Sequence, residues 1–224
     1  MNTKSKLSAF IQKYKHAWVL LYFFIYMPWF IYLEKHVTYG YHVIHSTIDN
    51  KIPFIEYFIV PYLLWFLFIA VWMMYFFFTD VPGFYRLTAL LFTGMTIFLL
   101  ISTFFPNGLA LRPTSFVRDN IFVDMVKTLY RTDTPTNVFP SLHVFNSLGI
   151  CIAIGQSNTL KKHTFIRYAS YFMASLIILA TMFLKQHSVV DVAFAFVMAY
   201  GLYLLVYVPA KQTVLSKQAK PASW

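Results

Sequence analysis

The chain has 224 residues, 59% of them hydrophobic and 12% charged, with a formal net charge of +10. Several apolar runs of about twenty residues are too many for one soluble core, and this excludes a water-soluble globule. Backbone polar groups in lipid must be satisfied internally and nothing here alternates like a barrel strand, so the composition predicts an all-α polytopic membrane helix bundle. The single cysteine, Cys151, lies in an apolar run, which excludes an intrachain disulfide and gives it a packing role.

In chain order, residues 1–224 read as a single integral membrane domain with six transmembrane helices, at about 17–33, 57–78, 87–105, 141–157, 165–184 and 188–208. The arm before the first run carries Lys4, Lys6, Lys13 and Lys15, and no small-residue cleavage site follows that run. It therefore predicts an uncleaved first span. Residues 34–56 are mixed, and Tyr39, Tyr41, His42 and His45 predict a short element in the membrane interface. His42 and His45 are read as interfacial packing rather than as ligands. Pro82-Gly83 predicts a chain reversal across residues 79–86. The stretch 106–140, with Arg112, Arg118, Arg131, Asp119, Asp124 and Asp133, reads as a long functional loop. The fourth span has about fifteen apolar residues and reaches only about 22 Å, against a hydrocarbon core of roughly 30 Å. Either it runs on through Leu160 or its first turn is recessed, which would set His143 near the depth of lipid phosphates.

Six spans put both termini on one side. That side holds Lys4, Lys6, Lys13, Lys15, Arg86, Lys161, Lys162, Arg167, Lys211, Lys217 and Lys220 against one acid, Asp80. The other side holds Lys35, Lys51, Arg112, Arg118, Lys127, Arg131 and Lys185, balanced by seven carboxylates. The positive-inside rule makes the termini cytoplasmic and places Arg112, His143 and His187 together on the outer, extracytoplasmic face. The net charge is thus a topological signal, and no nucleic acid partner is expected.

Phe139-Pro140-Ser141-Leu142-His143 reads as a helix start, with Pro140 near the first helical position, Ser141 as N-cap and free N–H groups that favour an anion. His187 and Asp191 stand at i,i+4, so the carboxylate can hold the imidazole. Two histidines beside an anion cradle point to phosphoryl chemistry, which needs charge neutralisation, an in-line nucleophile and a proton for the leaving oxygen. His187, braced by Asp191, fits the nucleophile and His143 the general acid, although the residue types alone allow the reverse. Arg112, Ser141, the amides of Leu142 and His143, and Lys185 are candidate phosphate donors. Asn146 and Ser147, one turn beyond His143, read as lining of the bundle. A metal site from His143, His187 and Asp191 lacks a clustered fourth ligand, so no metal and no cofactor are expected.

Arg112-Pro113, Pro140-Ser141-Leu142-His143 and His187 with Asp191, in that order, resemble the three signatures of the type 2 phosphatidic acid phosphatase superfamily. The resemblance covers about residues 87–208. It implies a six-helix membrane core like that of vanadium haloperoxidases, a phosphohistidine intermediate and metal-independent hydrolysis of a membrane lipid phosphate. Three positions depart from the family pattern. Phe105 stands where the family has Lys, Leu142 where it has Gly, and Thr181 where it has Arg. Lys185, Arg118, Lys127 and Arg131 are the cations left to replace the missing two. The Phe-Pro-Ser-Leu-His and Lys-Gln-His forms are similar to the branch of inositol phosphorylceramide synthase-like proteins. That likeness keeps headgroup transfer to an alcohol as an alternative to the phosphatase reading, and a non-catalytic membrane protein, a transporter or scaffold with a degenerate site, is the third class.

Overall fold

The computed structural model describes residues 10–209, so the expectations attached to Lys4, Lys6, Lys211, Lys217 and Lys220 lie outside the described residues. Seven α-helices are described there: α1 (Phe23–His36), α2 (Ile59–Thr79), α3 (Val81–Phe104), α4 (Ile121–Thr132), α5 (Leu142–Gln156), α6 (Thr164–Phe183) and α7 (Val189–Val206). A 3-10 segment, Lys15–Tyr22, leads into α1. Five apolar stretches are long enough to cross a membrane: Lys15–His36, Glu56–Thr79, Val81–Phe104, Thr164–Phe183 and Val189–Val206. The chain is therefore an integral membrane helix bundle by length and composition. Helix α5, at 15 residues, is apolar but shorter than the other five. It ends at Gln156 and does not run on through Leu160, because the backbone turns extended at Ser157 and Leu160 begins a separate 3-10 turn.

Helix α3 is the centre of the bundle. Some 56% of its apolar window is buried, against 17% for each of the two preceding spans. Two glycines let α3 and α5 touch, as small residues do where membrane helices pack closely. A Cβ on Gly94 would stand 2.1 Å from the fully buried ring of Phe145, and one on Gly149 would stand 2.5 Å from Leu91. Side chains such as Phe24, Ile25, Phe66, Leu67, Phe172, Val197 and Leu205 remain on the outside of the bundle. An apolar perimeter of this extent has no stable place in water, and lipid is the solvent that suits it.

Two expectations change in the structure. The predicted reversal across residues 79–86 shrinks to Asp80, and α3 begins at Val81. The Asp80 side chain accepts from the Gly83 amide at 2.9 Å, and Pro82 sits in the first turn, where no N–H is required of it. A Cβ on Gly83 would meet the Asp80 carboxylate at 2.4 Å, so this cap needs glycine. The long loop 106–140 also contains a helix. Asn120 caps α4 by accepting from the Phe122 and Val123 amides, each at 3.0 Å, and Val123 and Val126 turn inward.

The segments outside the bundle are tied together by Asn107, which is fully buried. Strand β1 (His42–Val43) runs parallel to β2 (Asn107–Gly108), in the register His42 to Asn107 and Val43 to Gly108. The Asn107 side-chain oxygen accepts from the amides of Val138 and Phe139, each at 2.9 Å. These bonds hold the chain immediately before α5 against the end of α3. The interfacial element expected at His42 is thus a short strand, with the His42 ring stacked on Phe105 at 4.5 Å. His45 bonds Asn50 at 3.2 Å.

Candidate functional site

Two turns meet at one end of the bundle. The first starts α5. Ser141 is extended (φ −62°, ψ 114°) and its hydroxyl accepts from the Val144 amide at 3.4 Å, so Ser141 is the N-cap. Pro140 is the residue before the cap rather than the first helical one. Ser141 is fully buried, and its own amide donates to the Asp191 carbonyl at 3.3 Å. The first intrahelical bond runs from Phe145 to Ser141, so the amides of Leu142 and His143 head the helix as free N–H groups do.

The second turn ends α6 and starts α7. Lys185 adopts φ 54° and is the left-handed residue of a Schellman arrangement: its amide bonds the Met182 carbonyl at 3.0 Å and the Gln186 amide bonds Thr181 at 2.9 Å. The His187 amide shares the Thr181 carbonyl at 3.0 Å. Ser188 and Asp191 then form a capping box, with Ser188 N donating to Asp191 Oδ2 at 2.9 Å. The same oxygen lies 3.3 Å from His187 Nδ1. The i,i+4 brace read from the sequence is therefore present, and Nδ1 is the atom it engages. Nε2 takes no part in that contact.

The two turns bring the imidazoles of His143 and His187 to 5.7 Å between ring centroids, with planes inclined at 59°. His143 packs against Tyr62 at 4.6 Å and Trp65 at 4.4 Å, and His187 is 7% exposed. Tyr62 in turn donates to Asp133 at 3.4 Å. In-line transfer needs a nucleophile about 3 to 3.5 Å from phosphorus and an acid within about 3 Å of the leaving oxygen. A separation of 5.7 Å brings both rings within reach of one small bound group.

The cations are placed differently from one another. Arg112 Nη1 donates to the carbonyls of Tyr130 (3.2 Å) and Asp133 (2.8 Å), and Nη2 to Thr134 O (3.1 Å) and Gln186 Oε1 (2.6 Å). The guanidinium also lies 4.7 Å over the Tyr130 ring. Burial lowers its proton affinity, and Asp133, 4.0 Å away, opposes that shift. Burial raises Asp133 itself above the ordinary carboxylate range, against the pull of Arg112. The Lys185 ammonium donates to the carbonyls of Asp49, at 2.7 Å, and Ile52. Burial lowers its proton affinity, with Asp49 acting in the opposite sense. Arg118 pairs with Glu56 at 3.0 Å, and Lys127 pairs with Asp124 at 3.1 Å. Asn146 and Ser147 are buried, and the Ser147 hydroxyl donates back to the His143 carbonyl.

Several residues at the site were not singled out from the sequence. Asp49 is 1% exposed and accepts from Ser46 N (2.7 Å), Ser188 Oγ (2.7 Å) and Val189 N (2.8 Å). It places a carboxylate at the positive end of α7 and pins the loop before α2 to the His187 turn. Glu34 accepts from Thr134 and from Asn137, the latter at 2.8 Å, and fixes the segment leading to Ser141. Gln186 was passed over as a neighbour of His187. Among the described residues, no three His, Cys, Asp or Glu side chains are grouped as a metal ion would require. No family model, curated protein or solved structure matches the chain.

Proposed function

We propose that the chain is a lipid phosphate phosphatase working through a phosphohistidine, as its resemblance to the type 2 phosphatidic acid phosphatases implies. The observation that carries this reading is the His143–His187 pair, 5.7 Å between rings, with His187 Nδ1 held by Asp191. In the proposed reaction His187 Nε2 attacks phosphorus and forms an N–P bond. The P–O bond to the lipid alcohol breaks, and His143 delivers a proton to the departing oxygen. Water then attacks the phosphoryl group, His143 takes its proton, and the N–P bond breaks to release inorganic phosphate. The amides of Leu142 and His143 stabilise the equatorial oxygens through the positive end of α5. The distribution of charge between the two sides supports cytoplasmic termini and an extracytoplasmic site.

A second reading, transfer of the headgroup to an alcohol, is favoured by one feature: His187 is buried, so bulk water has restricted entry. One assay separates the readings. Purified protein in detergent, with chelator present, is offered phosphatidate, a phosphatidylglycerophosphate and a polyprenyl diphosphate. The expected result is release of inorganic phosphate from at least one of them, with inhibition by orthovanadate. Consumption of lipid without phosphate release would instead support transfer, and no turnover by either route would support a non-catalytic protein.

A further inference from the structure

The candidate site raises a problem of hydrogen-bond donors. A phosphate needs donors, yet four of the N–H bonds of Arg112 already serve protein acceptors, and Lys185 serves the 49–52 loop. Gln186 resolves it. The residue is 3% exposed, and its backbone is fixed by the bond to Thr181 O in the turn that also fixes His187. Its side-chain oxygen receives Arg112 Nη2 at 2.6 Å. That contact settles which end of the amide is oxygen, because a flipped amide would set N–H against N–H. The Nε2 end is buried and, among the described residues, has no hydrogen-bond partner. A buried amide N–H₂ without an acceptor is destabilising, and a bound acceptor would recover that cost.

The surroundings say where such an acceptor would lie. Arg112 is linked to Asp133, Asp133 to Tyr62, Tyr62 to the His143 ring, and Gln186 adjoins His187 in the chain. The carboxamide is thus joined to the His143 ring through a chain of contacts that runs by way of Arg112, Asp133 and Tyr62. Arg112, through its charge, polarises the amide and makes its N–H groups stronger donors.

We infer that the Gln186 carboxamide is a donor to the substrate phosphate and that Arg112 acts as a positioning residue which aims it, an inference resting on the phosphoryl-transfer reading of the histidine pair. Loss of one donor of this kind costs on the order of 10²-fold in kcat. The test uses full-length protein in detergent, with phosphate release and the thermal shift produced by orthovanadate as separate readouts. Gln186→Ala should lose about 10²-fold in activity and most of the vanadate shift. Gln186→Glu keeps the shape and the Arg112 contact but replaces the donor with a negative charge, so it should lose at least as much. It also keeps the test decidable if the alanine variant folds poorly. Arg112→Ala should be damaging alone but add little in the Gln186→Ala background, since it acts through the amide. His187→Ala serves as the control on the underlying reading. Full activity and a full vanadate shift in both Gln186 variants, with His187→Ala inactive, would overturn the role of Gln186 and leave the reading intact. An active His187→Ala would sink the reading, and the vanadate shift alone would then decide whether Gln186 binds the anion. Additive losses from Arg112→Ala and Gln186→Ala would overturn the positioning role.

Discussion

Replacing His187 by alanine is expected to lower phosphate release by at least about 10⁴-fold, the scale of loss when a covalent nucleophile that works as part of a unit is removed. The effect should fall on kcat, because the imidazole acts by forming a bond in the transition state rather than by holding the lipid. Asp191→Ala should be milder in chemistry but not harmless. Its Oδ2 serves both the His187 ring and the Ser188 amide, so its loss frees the imidazole and removes half of the α7 capping box. Phosphate release in detergent checks this, with melting temperature showing that the His187 variant is still folded. Near-normal turnover by His187→Ala would remove the proposed mechanism.

The second large effect is expected at Asp49, which takes no part in the proposed chemistry. Asp49→Ala leaves Ser46 N, Ser188 Oγ and Val189 N without their acceptor in a buried place. Each orphaned donor costs about 1–3 kcal/mol, so destabilisation on the order of 3 kcal/mol is expected after partial relaxation. Asn in its place keeps one oxygen as acceptor but turns an N–H₂ toward a donor, and should fall between alanine and the native residue. The turn freed by these changes also carries His187, so activity should fall with stability. Thermal unfolding of the three proteins in one detergent measures the order. Equal melting temperatures for Asp49→Ala and the unaltered protein would contradict the clamp.

The apolar runs and the starts of α5 and α7 were legible in the sequence because their signals are local. Ser141 announces a helix start by residue type, and His187 with Asp191 share a face by spacing alone. The expected spans at 57–78, 165–184 and 188–208 lie within about two residues of Glu56–Thr79, Thr164–Phe183 and Val189–Val206. The start of α3 was misplaced because Pro82-Gly83 looks like a break, whereas Asp80 converts it into a capped first turn. Helix α4 was missed for a different reason. Its inward residues, Val123 and Val126, recur at helical spacing among charges, and a search for long apolar runs passes over such a pattern.

What could not be read was the support around the histidines. Asp49 meets Ser188 and Val189 across about 140 positions of chain, and Glu34 meets Asn137 across 103. No local rule connects them. Lys185 stands two residues from His187, which makes it a candidate phosphate ligand, and the sequence does not show that its ammonium also bonds carbonyls of the 49–52 loop. Sequence proximity located the turn but not the long-range bonds of its side chains. Arg112 sits at the edge of the site, and its contact with Gln186 Oε1 comes from a residue 74 positions away.

The central claim is that a phosphoryl group rests on the imidazole of His187. A single turnover with a lipid carrying labelled phosphorus, quenched in alkali, tests it most directly, because a phosphoramidate survives base and is lost in acid. Protein-bound, acid-labile label on the peptide containing residue 187, and its disappearance in His187→Ala, is the predicted result. Rapid release of labelled phosphate with no label on the protein, or label on a carboxylate or hydroxyl elsewhere, would contradict the account.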